Sequence, residues 1–155
     1  MTDRRLFLVG VSSLFIAGSF FAPFLAFAQK TKIFADEKTG VAMNGYDPVA
    51  YFVENAPVKG NGENSYEWSG AIWHFSSAKN KEIFAAAPEK YAPQYGGYCA
   101  FAVSRGYSAP TIPEAFTIVD DKLYLNFSLK IQKRWRKDIE ENIIKADKNW
   151  PDVLK

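Results

Sequence analysis

The chain has 155 residues, 48% of them hydrophobic and 23% charged, with a formal net charge of +2. That composition excludes a disordered chain and predicts one domain with its own core, and so small a charge excludes recruitment by nucleic acid or by a membrane surface. The single cysteine, Cys99, excludes an intrachain disulfide, so packing alone holds the fold.

Residues 1–28 read as a signal peptide. Asp3-Arg4-Arg5-Leu6-Phe7-Leu8 opens an uncharged run from Leu6 to Ala28 that ends in Ala26-Phe27-Ala28, a small-residue cleavage pattern before Gln29. The paired arginines before Leu-Phe-Leu resemble the twin-arginine export signal, with Asp3 as a small departure. The mature chain is therefore expected in the periplasm, with no stable membrane insertion after cleavage. An uncleaved N-terminal anchor is the alternative, because the run is long enough to cross a bilayer. Cleavage lowers Lys+Arg from 19 to 17 and Asp+Glu from 17 to 16, a mature charge of +1.

Residues 29–40 are polar and read as a loose lead-in to a domain over 41–155. Gly45 and Pro48 bend the chain, and Val49-Ala50-Tyr51-Phe52-Val53 predicts a short buried strand. Asn55 to Asn64 reads as a surface loop. Two aromatic runs then flank Ser69-Gly70, a hairpin that pairs Trp68 with Ala71 and Tyr66 with Trp73. Alternation puts Tyr66, Trp68, Ala71, Trp73 and Phe75 on the core face and Ser65, Glu67, Ile72 and His74 on the wet one. Ser76 or Ser77 caps a helix over Ala78–Ala87 with Ile83, Phe84 and Ala87 inward, ended by Pro88.

Tyr91 to Ala100 concentrates three tyrosines, a Gly pair and Cys99 into ten residues. A Gly pair here predicts a fixed turn with positive φ or a close approach by another segment. Ala115–Val119 and Lys122–Phe127 flank Asp120-Asp121 as a second hairpin. From Ser128 the period becomes helical, with Ile131, Trp135, Ile139 and Ile143 spaced by four, which predicts one long amphipathic helix on the sheet. Its basic residues Lys130, Lys133, Arg134, Arg136 and Lys137 are followed by Asp138, Glu140 and Glu141, a solvated face. Trp150 is expected to tuck back onto the core. The fold class is α+β: a small antiparallel sheet of hairpins packed against two or three helices, including the C-terminal one.

Tyr46-Asp47-Pro48-Val49-Ala50-Tyr51-Phe52, Trp73-His74-Phe75-Ser76-Ser77, Pro88-Glu89-Lys90-Tyr91 and Tyr95-Gly96-Gly97-Tyr98-Cys99-Ala100 together resemble the YHS domain family. With Ile118-Val119-Asp120-x-Lys122-Leu123-Tyr124-Leu125-Asn126 and Asn149-Trp150-Pro151, they are similar to its stand-alone exported members. The resemblance spans about residues 41 to 153. It implies a small α+β fold related to metal-binding modules. The members attached to heavy-metal ATPases carry cysteines where this chain has Ala50 and Ser76, so their cysteine cluster is missing here.

One His and one Cys cannot build a blue-copper site or a closed structural zinc site within the chain. A softer, lower-coordination site of Cys99 with Met43 or His74 remains open for Cu(I). Against it stands a small buried cysteine that only packs. Cysteine–histidine catalysis is disfavoured because the hairpin register turns His74 to the polar face. The expectation is thus a periplasmic, non-enzymatic binding or accessory protein that handles a soft metal such as copper through Cys99. A structural or partner-binding domain without metal, docked on a periplasmic or membrane protein, is the alternative, and a thiol enzyme is the least favoured reading.

Overall fold

The structure is a computed structural model that describes residues 30–155, so the expected signal peptide lies outside the described residues. Residues 30–39 are not a loose lead-in. Ile33 is buried, Phe34 N–H donates to Gly96 O at 2.8 Å, and Met43 N–H donates to Phe34 O at 3.1 Å. The approach is so close that a Cβ on Gly96 would lie 1.7 Å from Lys32 O, which accounts for the glycine at a φ of 60°.

The segment expected as a buried strand is instead a helical turn, α1 (Ala50–Val53). The reason is local. One carboxylate oxygen of Asp47, Oδ1, accepts the N–H groups of Val49 at 2.9 Å and Ala50 at 3.2 Å, and so satisfies donors that a strand would have offered to a ladder.

The first hairpin follows as β1 (Asn61–Trp68) and β2 (Ala71–Phe75), antiparallel, with Trp68 opposite Ala71 and Tyr66 opposite Trp73 as expected. Ser69 and Gly70 both have positive φ, the primed-turn geometry whose twist suits a two-residue hairpin. β1 begins within the stretch expected as a loop, with a register irregularity between Asn61 and Ser65. α2 (Ala78–Ala86) starts at Ser77, whose side chain accepts Asn80 N–H, and buries Phe84 and Asn80. α3 (Pro88–Tyr91) and α4 (Ala100–Ser104) flank the Gly-Gly turn.

The second hairpin, β3 (Phe116–Val119) and β4 (Lys122–Leu125), turns on Asp120 and Asp121, both at positive φ. β4 divides the core by its period of two. Leu123 and Leu125 join a first cluster with Val49, Tyr51, Trp73, Phe75 and Phe84, while Tyr124 joins a second with Tyr95, Cys99, Phe101, Trp135 and Ala146.

The long C-terminal helix expected runs from Leu129 to Asn149, with a local break inside it. It comprises α5 (Leu129–Trp135) and α6 (Ile139–Asn149), parted by a 3-10 turn in which Asp138 leaves helical geometry at φ −142° and ψ 60°. Asn142 then donates to the freed carbonyl of Trp135 at 3.0 Å. α6 lies along α4 rather than on a sheet, tied by Ser104 Oγ donating to Asn142 Oδ1 and by Asn149 donating to Val103 O. Trp150 does fold back, against the rings of Tyr95 and Tyr98. Among the described residues no helix is long and apolar enough to cross a membrane.

Candidate functional site

Cys99 stands immediately before α4, where three successive positive-φ residues, Tyr95, Gly96 and Gly97, have just reversed the chain. Its backbone N–H donates to Ala109 O at 3.0 Å, which pins the turn to the Ser108–Pro110 segment. The sulfur is 1% exposed and faces Asn126. The thiol donates to Asn126 Oδ1 at 3.7 Å, and Phe127 N–H donates to Sγ at 3.3 Å. Asn126 Oδ1 also accepts Phe101 N–H at 3.3 Å, which fixes the amide's orientation and leaves its Nδ2 buried without a partner.

Burial pushes the Cys99 thiol upward from its ordinary value, and the amides of Ala102, Phe127 and Phe101 pull it back only in part. The group is therefore a neutral thiol at neutral pH and a poor nucleophile. It sits at the floor of a cavity of about 240 Å³ lined by Phe101, Ala102, Tyr107, Ala109, Phe127 and Ile131. Of the lining residues, Tyr107 is 54% and Phe127 is 50% exposed, so two aromatic side chains of this cavity stand in water. The guanidinium carbons of Arg105 and Arg134 lie 4.8 and 5.1 Å from the centroid of the Phe101 ring, one wall of this cavity.

The other residues singled out by sequence lie elsewhere. Met43 is buried in the first core cluster, and His74 is half-buried on β2 beside Gly45 and Gly62. Neither lines the cavity over Cys99. No group of three or more His, Cys, Asp or Glu side chains with the spacing of metal ligands occurs among the described residues. Among the described residues, the Cys99 sulfur is thus the one soft donor that lines this cavity.

The second buried polar centre was quoted in the sequence only as part of a motif. Asp47 is 0% exposed and accepts five hydrogen bonds. Beyond the two to Oδ1, its Oδ2 takes Ser76 N–H at 2.9 Å, Ser76 Oγ at 2.7 Å and Asn80 Nδ2 at 2.7 Å. Ala50 and Ser76, the positions of the absent cysteines, both meet at this carboxylate. A methyl group and a hydroxyl already bound to Asp47 hold no metal there. The signal that could have found it is an Asp-Pro step followed by a Ser and an Asn four residues apart at a helix start.

Residues 49–95 match the family model described as YHS domain. No curated protein and no solved structure matches the chain. The matched residues run from α1 to the start of the Gly-Gly turn, and Cys99 with its cavity lies beyond them.

Proposed function

Since residues 49–95 make this chain a YHS domain protein, a family linked to metal binding and compatible with an accessory role, we propose that it is a non-enzymatic binding module of the periplasm whose working site is the cavity over Cys99. The observation that carries this reading is the combination of a neutral, buried thiol with an open apolar cavity whose aromatic lip, Tyr107 and Phe127, stands in solvent. A low thiolate population argues against covalent catalysis, and shape and carbon lining argue for reception of an apolar group. The test is titration of the full mature chain with a neutral, environment-sensitive apolar fluorophore. Saturable binding that disappears when Ile131→Trp fills the cavity supports the reading, whereas binding unaffected by that substitution, or none, overturns it.

Copper is a second reading, favoured by the N–H groups of Phe127, Ala102 and Phe101 around the sulfur, which suit a thiolate. In it Cys99 supplies one soft ligand, and the others come from a partner protein, because Met43 and His74 lie away from the cavity. Metal analysis of protein purified from the periplasm, beside a Cys99→Ala form, decides it: copper in the first alone supports the reading, and equal loading of both ends it. Export itself is tested by fractionation, with Arg4→Lys and Arg5→Lys together expected to retain the protein in the cytoplasm.

A further inference from the structure

Resting on the reading of the Cys99 cavity as a binding site, we propose that its ligand is an apolar carboxylate, with the hydrocarbon tail in the cavity and the carboxylate held at the rim by Arg105 and Arg134. The interior argues for the tail. Cys99, Phe101, Ala102, Ala109, Phe127 and Ile131 present carbon and one neutral thiol, so a charged or strongly hydrated group gains nothing there and loses its water. A cavity of about 240 Å³ accepts one short chain or one ring rather than a large cofactor.

The charge beside the Phe101 wall argues for the anion. Two guanidinium groups converge on the ring of Phe101, which forms part of the cavity wall. Neither takes part in an ion pair among the described residues, where the salt bridges are Lys145–Glu141 and Lys155–Asp152. Glu141 feels Arg105 only through space and is itself bridged to Lys145. Two positive charges against one apolar wall favour an anion beside it over a neutral or cationic group. Both guanidinium groups lie within cation–π distance of the ring, and no hydrogen bond from either is seen among the described residues, so their N–H groups suit bidentate pairing with a carboxylate. Tail and head therefore have adjacent, chemically opposite receptors.

The test displaces the bound neutral fluorophore from the full mature chain with decanoate, with decanol and with decyltrimethylammonium, three ligands of one tail and different heads. Decanoate is expected to bind about tenfold tighter than decanol, as two exposed ion contacts together contribute, and the cation weaker than either. The Arg105→Gln/Arg134→Gln double variant removes that preference while fluorophore binding persists, and raised salt narrows it. Equal binding of decanoate and decanol, or a preference that survives the double variant, overturns the carboxylate assignment and leaves the cavity reading standing. Failure of every ligand and of the fluorophore overturns the cavity reading itself. Binding to phosphatidylglycerol vesicles without displacement by free decanoate also overturns the proposal, because the aromatic lip and the arginines then serve a lipid surface.

Discussion

Asp47 and Asn126 are both 0% exposed, and the protein treats the two differently. Five donors surround the Asp47 carboxylate, drawn from α1, the end of β2 and α2, so its acceptor capacity is used in full. Asn126 accepts two hydrogen bonds on Oδ1 and keeps its Nδ2 without a partner. Among the described residues the other buried side-chain atom without a partner, Trp135 Nε1, belongs to the same second cluster. The Asp47 network is closed in on itself, and the surroundings of Asn126 keep hydrogen-bonding capacity and a cavity beside a lone thiol. A saturated polar centre holds architecture together, whereas slack in polar pairing and packing gathers where a molecule has something to receive.

The largest effect that tests this contrast is at Asp47. Replacing it by Ala leaves the donors of Ser76, Asn80, Val49 and Ala50 buried without their acceptor, at a cost of about 3–5 kcal/mol in the urea unfolding free energy. A loss below about 1 kcal/mol removes the claim that this carboxylate organises the first cluster. Next is Gly96→Ala, which drives a Cβ into Lys32 O at a positive φ and is expected to cost about 2–4 kcal/mol while detaching residues 30–35 from the turn. Amide hydrogen exchange at Phe34, whose N–H is bonded to Gly96 O, reports the detachment.

The first cluster was the more legible half. Both hairpins follow from alternation of two and from residues that accept positive φ, and the pairing of Trp68 with Ala71 and Tyr66 with Trp73 emerges as read. Val49–Val53 has the composition of a strand, and what overrides it is the side chain of Asp47 competing for two backbone N–H groups, a contact invisible to periodicity. The spacing of four from Ile131 to Ile143 continues unbroken through Asp138, so the break between α5 and α6 left no mark on the apolar pattern. Polar residues disguised the lead-in, although Gly96 already signalled a close approach by some other segment.

At the site, Cys99 could be singled out as the only cysteine. Its partner Asn126 lies 27 residues away and follows β4 as an ordinary polar residue. Arg134 read as part of a solvated face, because only the fold brings it and Arg105 onto Phe101.

Smaller effects sharpen the second region. Cys99→Ala removes one sulfur from the edge of an existing cavity and is expected to cost about 1 kcal/mol, well below the Asp47 substitution, in the same urea experiment. In the native protein at pH 7.5, alkylation of Cys99 by iodoacetamide is expected to run at least about tenfold slower than in denaturant, since the thiol is buried and its ionisation is pushed up. Rapid native alkylation would reinstate the thiol-enzyme reading.

The same displacement has a pH signature. Burial raises Cys99 above its ordinary value of 9.0 and raises Tyr51 and Tyr95 above 10.0, with the Asp147 carboxylate, hydrogen-bonded to Tyr95 at 2.8 Å, adding to the last. An acid whose folded value is raised keeps its proton in the folded chain after the unfolded chain has lost it. Its stabilisation is complete below the unfolded value and is lost as pH rises through the folded one. Urea midpoints are therefore expected to hold from pH 7 to about 9 and to fall above it, less steeply in Tyr95→Phe.

The contrast between the two centres is tested most directly by following backbone amide NMR shifts of the full mature chain as decanoate is added. The amides of Cys99, Phe101, Tyr107 and Phe127 should move saturably, while those of Val49, Ala50 and Ser76 around Asp47 stay in place. Shifts centred on the Asp47 network, or no saturable shift at the cavity, would contradict the assignment of architecture to the first region and binding to the second.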